Sequence, residues 1–198
     1  MQINLKYKIL QKMFGFHKWH TIPAEQRPYS MEVIKWCNRL LKKESKENIN
    51  KSIIEIGCGL GDILAKLDAK EAVKVGYDID EKVIKAAKIL HPKTKYKVEN
   101  FAPDIRGQEI LMLITVNFLY CLDSNTVEKQ FKKIISNNNI KYIITEVMYP
   151  ATPNYPYSHN MDMILGNDYI CIKKRSFAAA EHSRRFILLY KKKENGKD

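Results

Sequence analysis

The sequence predicts an α/β fold in which a largely parallel sheet is covered by helices on both faces. Three observations carry this. The 198 residues and 23.1 kDa suit one domain of ordinary size with a substantial core. From residue 51 onward, short apolar runs alternate with amphipathic helical patterns, so successive strands must be joined by helical crossovers. The first of those runs leads directly into a glycine-rich turn and then into a helix.

Taken in order, residues 3–16 carry Leu10, Met13 and Phe14 at helical spacing, with Lys on the other side, and predict a short amphipathic helix that also turns Ile3 and Tyr7 inward. The aromatic, proline-punctuated stretch 16–29 (FHKWHTIPAEQRPY) reads as an ordered loop. It leads into a helix from Met31 to about Lys43, capped by Ser30, with Val33, Trp36, Cys37 and Leu40 inward. A polar linker follows over 42–51, so residues 1–50 form a helical cap or lid and residues 51–198 the main domain. Strands are expected at 52–56, 73–78, 95–99, 110–116, 141–146, 169–174 and 185–191, with helices at 62–67, 80–90, 125–135 and 159–165. Only a loop of about ten residues joins the last two strands, which should form an antiparallel hairpin.

Composition narrows the class. Eight Gly and seven Pro in 198 residues exclude collagen-like chains, and 45% hydrophobic with 28% charged residues is a globular balance. The apolar runs 110–116 and 186–190 fall far short of the roughly 20 residues of a membrane-spanning helix. With lysines threaded through the N-terminus and no cleavage-site pattern, a cytoplasmic protein without a membrane partner is expected. Cys37, Cys58, Cys121 and Cys171 lack the close spacing of a zinc or redox motif and are expected to be reduced and mostly buried. His159, Asn160, Met161 and Asp162 offer too few ligands for a metal, and none is expected.

The net charge of +12 favours anionic partners, nucleic acid among them. Yet 28 of the 34 cations are Lys and only six are Arg, the residue whose planar fork suits phosphate and base recognition. Lys, Ile and Asn together make a third of the chain, and all have AT-rich codons. Composition bias and a solvated lysine surface account for the charge better than a nucleic-acid footprint does.

The chemistry concentrates at Ile53-Ile54-Glu55-Ile56-Gly57-Cys58-Gly59-Leu60-Gly61-Asp62. A strand that runs through glycines into a helix presents backbone amides to a ligand. A dinucleotide fingerprint would need Gly at position 62, where this chain has Asp. The turn is G-x-G-x-G with Glu55 two residues before it, an acid that suits an ammonium and repels a pyrophosphate. Nineteen residues after Gly59, Asp78 closes the second strand, where a carboxylate can accept ribose hydroxyls.

In these residues the chain resembles the class I S-adenosylmethionine-dependent methyltransferases, whose motif is E/D-x-G-x-G-x-G. The resemblance implies a Rossmann-like, seven-stranded, mostly parallel sheet of order 3-2-1-4-5-7-6 whose last strand is antiparallel. It implies S-adenosylmethionine as cofactor, held by Glu55, Gly57, Cys58, Gly59 and Gly61, with Asp78 on the ribose. Ile79 would lie against the adenine. Asn100, where such enzymes usually carry Asp, would accept from the adenine amine, with Phe101 beside it. The fourth strand ends Asn117-Phe118-Leu119-Tyr120-Cys121-Leu122, similar to the N-x-L-H-H-L region of small-molecule methyltransferases, with Asn117 at the cofactor and Tyr120 and Cys121 in place of two His. From the N-terminal segment, Arg27 or Tyr29 would reach the cofactor carboxylate. A base, needed if a hydroxyl or protonated amine is the acceptor, is sought among Tyr120, Glu146, His159 and His20, with His17 a further candidate.

These features favour methyl transfer to an O or N atom of a small, metabolite- or sugar-like acceptor. A nucleic-acid methyltransferase is the alternative, but Asn117-Phe118-Leu119-Tyr120 lacks both prolines of the [DNS]-P-P-[YFW] motif of adenine amine methyltransferases. An inactive cofactor-binding regulator is the second alternative.

Overall fold

The computed structural model describes residues 5–44, 51–69, 72–101 and 103–194, in two compact units, Met1–Pro103 and Asp104–Asp198. In the first unit, α1 (Leu5–Phe14) is followed by single helical turns at Lys18–Thr21 and Ala24–Gln26 and by α2 (Pro28–Lys43). Then come β1 (Ser52–Ile56), α3 (Asp62–Ala65), β2 (Lys74–Asp78), α4 (Glu81–Leu90) and β3 (Lys95–Val98). The second unit holds β4 (Glu109–Thr115), a turn at Leu119–Cys121, α5 (Ser124–Asn137), β5 (Asn139–Tyr149), α6 (Met161–Leu165), β6 (Tyr169–Ala178) and β7 (Arg184–Lys192).

The seven strands form one sheet in the order β3-β2-β1-β4-β5-β7-β6. Pairs β1/β2, β2/β3 and β4/β5 are parallel, while β7 runs antiparallel to both β5 and β6. This is the predicted sheet, closing hairpin included. Ile110 to Ile114 of β4 are buried without a break, as parallel strands covered on both faces require. In the first unit, α1 lays Tyr7 and Leu10, with Phe16 beyond it, onto Leu60, Val83 and Ala86. Full burial of Leu10 and Phe16 contributes roughly 1.5–3 kcal/mol each.

Four local expectations are corrected. α2 starts at Pro28, not Met31: Pro28 occupies the first helical position, where its missing N–H costs nothing, and Ser30 is buried inside the first turn rather than capping it. Met13 points to solvent, because α1 uses the Tyr7, Leu10, Phe14 side for packing. In α2 the inward position after Cys37 is Leu41, with Leu40 half-buried. Cys37 and Cys58 are buried thiols, but Cys121 and Cys171 are exposed. The expected linker falls largely on residues 45–50, and Ile3 on residues 1–4, outside the described residues. Asp80 caps α4, accepting from the amides of Lys82 at 2.8 Å and Val83 at 3.4 Å.

Candidate cofactor site

Parallel register brings the carboxyl ends of β1, β2 and β3 to one edge, with Glu55 opposite Gly76 and Asp78 opposite Val98. Between β1 and α3 the backbone turns through three left-handed glycines, Gly57 (φ 70°), Gly59 (φ 54°) and Gly61 (φ 79°), a conformation side chains disfavour. Gly61 is required on a second count: a Cβ there would lie 2.0 Å from the Tyr96 hydroxyl oxygen. Asp78 closes the turn from the next strand. Its Oδ2 accepts from the Gly59 amide at 2.8 Å and its Oδ1 from the Asp80 amide at 3.0 Å, leaving further lone pairs on both oxygens. Ile79 and Asn100 are exposed beside it, Phe101 is half-buried, and Cys58 is buried under the turn.

The N-terminal segment is tied to this turn through Asp62. Its buried carboxylate accepts from the Tyr7 hydroxyl at 2.5 Å and from Arg27 Nη2 at 2.9 Å, and His91 Nε2 lies 3.6 Å away. Burial works to raise the Asp62 pKa, but the nearby His91, the Tyr7 hydrogen bond and the charge of Arg27 outweigh it and hold the carboxyl below its ordinary value. His20, half-buried, stands over the turn with Nδ1 3.1 Å from where a Gly59 Cβ would be. Desolvation lowers its pKa despite the charges of Asp78 and Asp80, which favours a neutral imidazole. Tyr29 is buried in the first turn of α2. Glu55 is buried, and desolvation pushes its carboxyl well above the usual range against the opposing charge of Arg27.

In the second unit the remaining predicted residues form another cluster. Glu146 pairs with Arg185, both buried, and backbone hydrogen bonds from Asn117 and Phe118 add to it. Burial raises the Glu146 pKa against Arg185 and those amides. Asn117 takes a left-handed φ of 74°. The Arg185 guanidinium lies 5.5 Å from the centre of the half-buried Tyr120 ring, which stacks edge-on against Tyr155 at 5.0 Å. Both His159 nitrogens are engaged: Nε2 with the Leu119 carbonyl at 2.9 Å, which requires a proton there, and Nδ1 with Ser124 Oγ at 3.2 Å. Of the motif that follows, Asn160 caps α6 and Asp162 accepts from the Tyr190 hydroxyl at 2.7 Å.

No family model matches the chain, and no curated protein matches it by sequence. Solved structures do. Magnesium protoporphyrin IX methyltransferase from Synechocystis PCC 6803, with bound S-adenosylhomocysteine, superimposes at TM-score 0.70 with 16% identity, over 95% of this chain and all of that one. The chain has the class I methyltransferase fold. N-methyltransferase NodS from Bradyrhizobium japonicum WM9 matches at TM-score 0.70 and 11% identity, covering 96% of this chain and all of that one. A TehB-like S-adenosylmethionine-dependent methyltransferase from Corynebacterium glutamicum matches at 0.54 and 14%, covering 84% and 100%.

Within that methyltransferase fold, sequence reasoning missed Tyr7, His91 and Tyr96 as residues that shape the turn. Asp62 is conspicuous in the sequence as the acid at a fingerprint glycine position, yet its partners Tyr7 and His91 lie 55 and 29 residues away. Tyr96 reads as an ordinary strand aromatic, but it fills the space left by Gly61 and Gly76.

Proposed function

We propose that this chain is an S-adenosylmethionine-dependent methyltransferase that moves a methyl group to an O or N atom of a small-molecule acceptor. One observation carries the reading. Beside the glycine turn, Glu55 Oε2 and Arg27 Nε are both buried with no hydrogen-bond partner. A buried acceptor and a buried donor left unsatisfied are costly. The amino-acid end of the cofactor offers an ammonium to the first and a carboxylate to the second. Asp78 keeps lone pairs for the ribose hydroxyls, and exposed Ile79 and Asn100 border the place for the base.

The cofactor supplies a methyl already activated on sulfonium sulfur, so the chain's work is to position an acceptor, exclude water and, where needed, take up a proton. Neutral His20 beside the turn suits that last role, whereas burial pushes the Tyr120 hydroxyl pKa up and keeps it protonated, which disfavours it as the base. Glu146 and His159 are committed to Arg185 and to Leu119 and Ser124, which favours structural roles for them. The stretch 16–29 acts as the lid, delivering His20 and Arg27 to the turn. A neighbour named for magnesium protoporphyrin IX and another named an N-methyltransferase support a small acceptor.

Calorimetric titration with S-adenosylhomocysteine tests the reading. The ligand ammonium favours ionised Glu55, so binding expels a proton: affinity rises with pH while free Glu55 is protonated, and the heat varies with the buffer's ionisation enthalpy. Asp78→Ala should weaken binding by about 1–3 kcal/mol. Absence of binding by the folded wild-type chain overturns the proposal.

A further inference from the structure

The face of α1 turned away from the core is apolar where a solvated helix would be polar. Leu5, Ile9 and Met13, at i, i+4 and i+8, are 70%, 51% and 65% exposed. At about 100° per residue they form one ridge opposite Tyr7, Leu10 and Phe14, which pack inward. Lys8 and Lys12 project along one flank of the ridge, both exposed. On that flank a groove of about 680 Å³ runs between α1 and the turn Lys18–Thr21, with Lys8, Lys12 and Lys18 on its walls and exposed Trp19 among them.

We propose that this face of α1, with the lysine-walled groove beside it, docks on an anionic lipid bilayer. Helices that lie in a membrane interface combine an apolar ridge with flanking lysines and an interfacial Trp, and this segment has all three. Charge complementarity selects the partner. A chain of net charge +12 that sets lysines beside its exposed ridge is attracted to a negative surface, and a second copy of the same lysine-flanked helix would be repelled. The ridge inserts among the acyl chains near the headgroups while Lys8, Lys12 and Lys18 meet lipid phosphates. Such docking needs no spanning helix, and it revises the expectation from composition that no membrane is involved. None of these side chains contributes to the Asp62 cluster or to the glycine turn, so the inference stands apart from the proposed catalysis.

Flotation with vesicles tests it. The full chain should float with phosphatidylglycerol-containing vesicles, stay behind with pure phosphatidylcholine, and detach as salt is raised. Neutralising two lysines with Lys8→Gln and Lys12→Gln should weaken binding about thirtyfold, from about 1 kcal/mol per lysine near the surface. Replacing Leu5, Ile9 and Met13 together by Gln should abolish flotation while leaving S-adenosylhomocysteine affinity and the urea midpoint unchanged, since the ridge contributes nothing to the core. Equal binding to neutral vesicles, no binding to anionic ones, or a ridge-dependent dimer on size exclusion would each overturn the proposal.

Discussion

Replacing Gly61 by Ala tests the account of the glycine turn, because two separable costs meet at that position. The first is backbone strain: φ is +79°, and a left-handed conformation costs a residue with Cβ about 1–2 kcal/mol. The second is steric. The new Cβ would lie 2.0 Å from the Tyr96 hydroxyl oxygen and 2.5 and 2.6 Å from ring carbons Cζ and Cε1, so a buried ring must move in a packed interior. Overpacking of this kind costs typically 1–3 kcal/mol. Gly61→Ala should therefore destabilise the chain by about 2–5 kcal/mol, read from urea unfolding at constant m-value. Tyr96→Leu removes the hydroxyl, Cζ and Cε1, the three atoms in conflict. In that background the same Gly61→Ala change should cost only the strain, about 1–2 kcal/mol. If Gly61→Ala costs less than about 1 kcal/mol in the wild type, or costs the same with Leu at position 96, the packing argument is refuted.

Two further predictions concern the buried acids. Asp62→Asn should destabilise the chain by about 1–3 kcal/mol at neutral pH through weakened bonds to Arg27 and Tyr7. Because the folded-state pKa of Asp62 is lowered, its stabilisation is complete above the unfolded value near 4 and is lost as pH falls through the folded one, so the gap between wild type and variant should close between about pH 5 and the acid end; a gap that stays constant contradicts the assignment. Glu146→Gln or Arg185→Met alone should cost about 3–5 kcal/mol by leaving a buried partner unpaired, and the double variant should cost less than the two single costs combined; additive losses in thermal unfolding would show that the pair does not act as a unit.

Features that depend on local pattern were legible in the sequence. Alternation of strand and helix, the glycine turn after β1 and the closing hairpin need only periodicity and turn chemistry, and the sheet has the order that the methyltransferase resemblance implies. Errors arose where tertiary packing decided between local options. Ser30 matches a capping rule, yet α2 begins two residues earlier at Pro28, whose missing N–H costs nothing at the first helical position. On α1, Met13 and Phe14 fit an inward face equally well by spacing, and only the neighbouring Leu90, Val83 and Ala86 show which side is covered. The exposed ridge could not be read beforehand because apolar spacing in sequence does not say which face finds a partner.

Asp62 shows how one position can change what a glycine turn holds. Where a dinucleotide site has a glycine at the start of the helix, leaving room for close packing, this chain has a carboxylate. With Glu55 in the preceding strand, it puts two buried acids beside the turn. The carboxylate is not left as an uncompensated charge: Arg27, Tyr7 and His91 converge on it from three separate elements. That convergence brings Arg27 to the turn with its Nε still unsatisfied and sets Glu55 within its field. The residue that replaces the fingerprint glycine is thus the one that anchors the N-terminal segment, and under the proposed function the anchored Arg27 would be the cation that meets the cofactor carboxylate. Replacing Asp62 by glycine would release Arg27 and the Tyr7 hydroxyl, so the turn's composition and the anchor of the N-terminal segment change together.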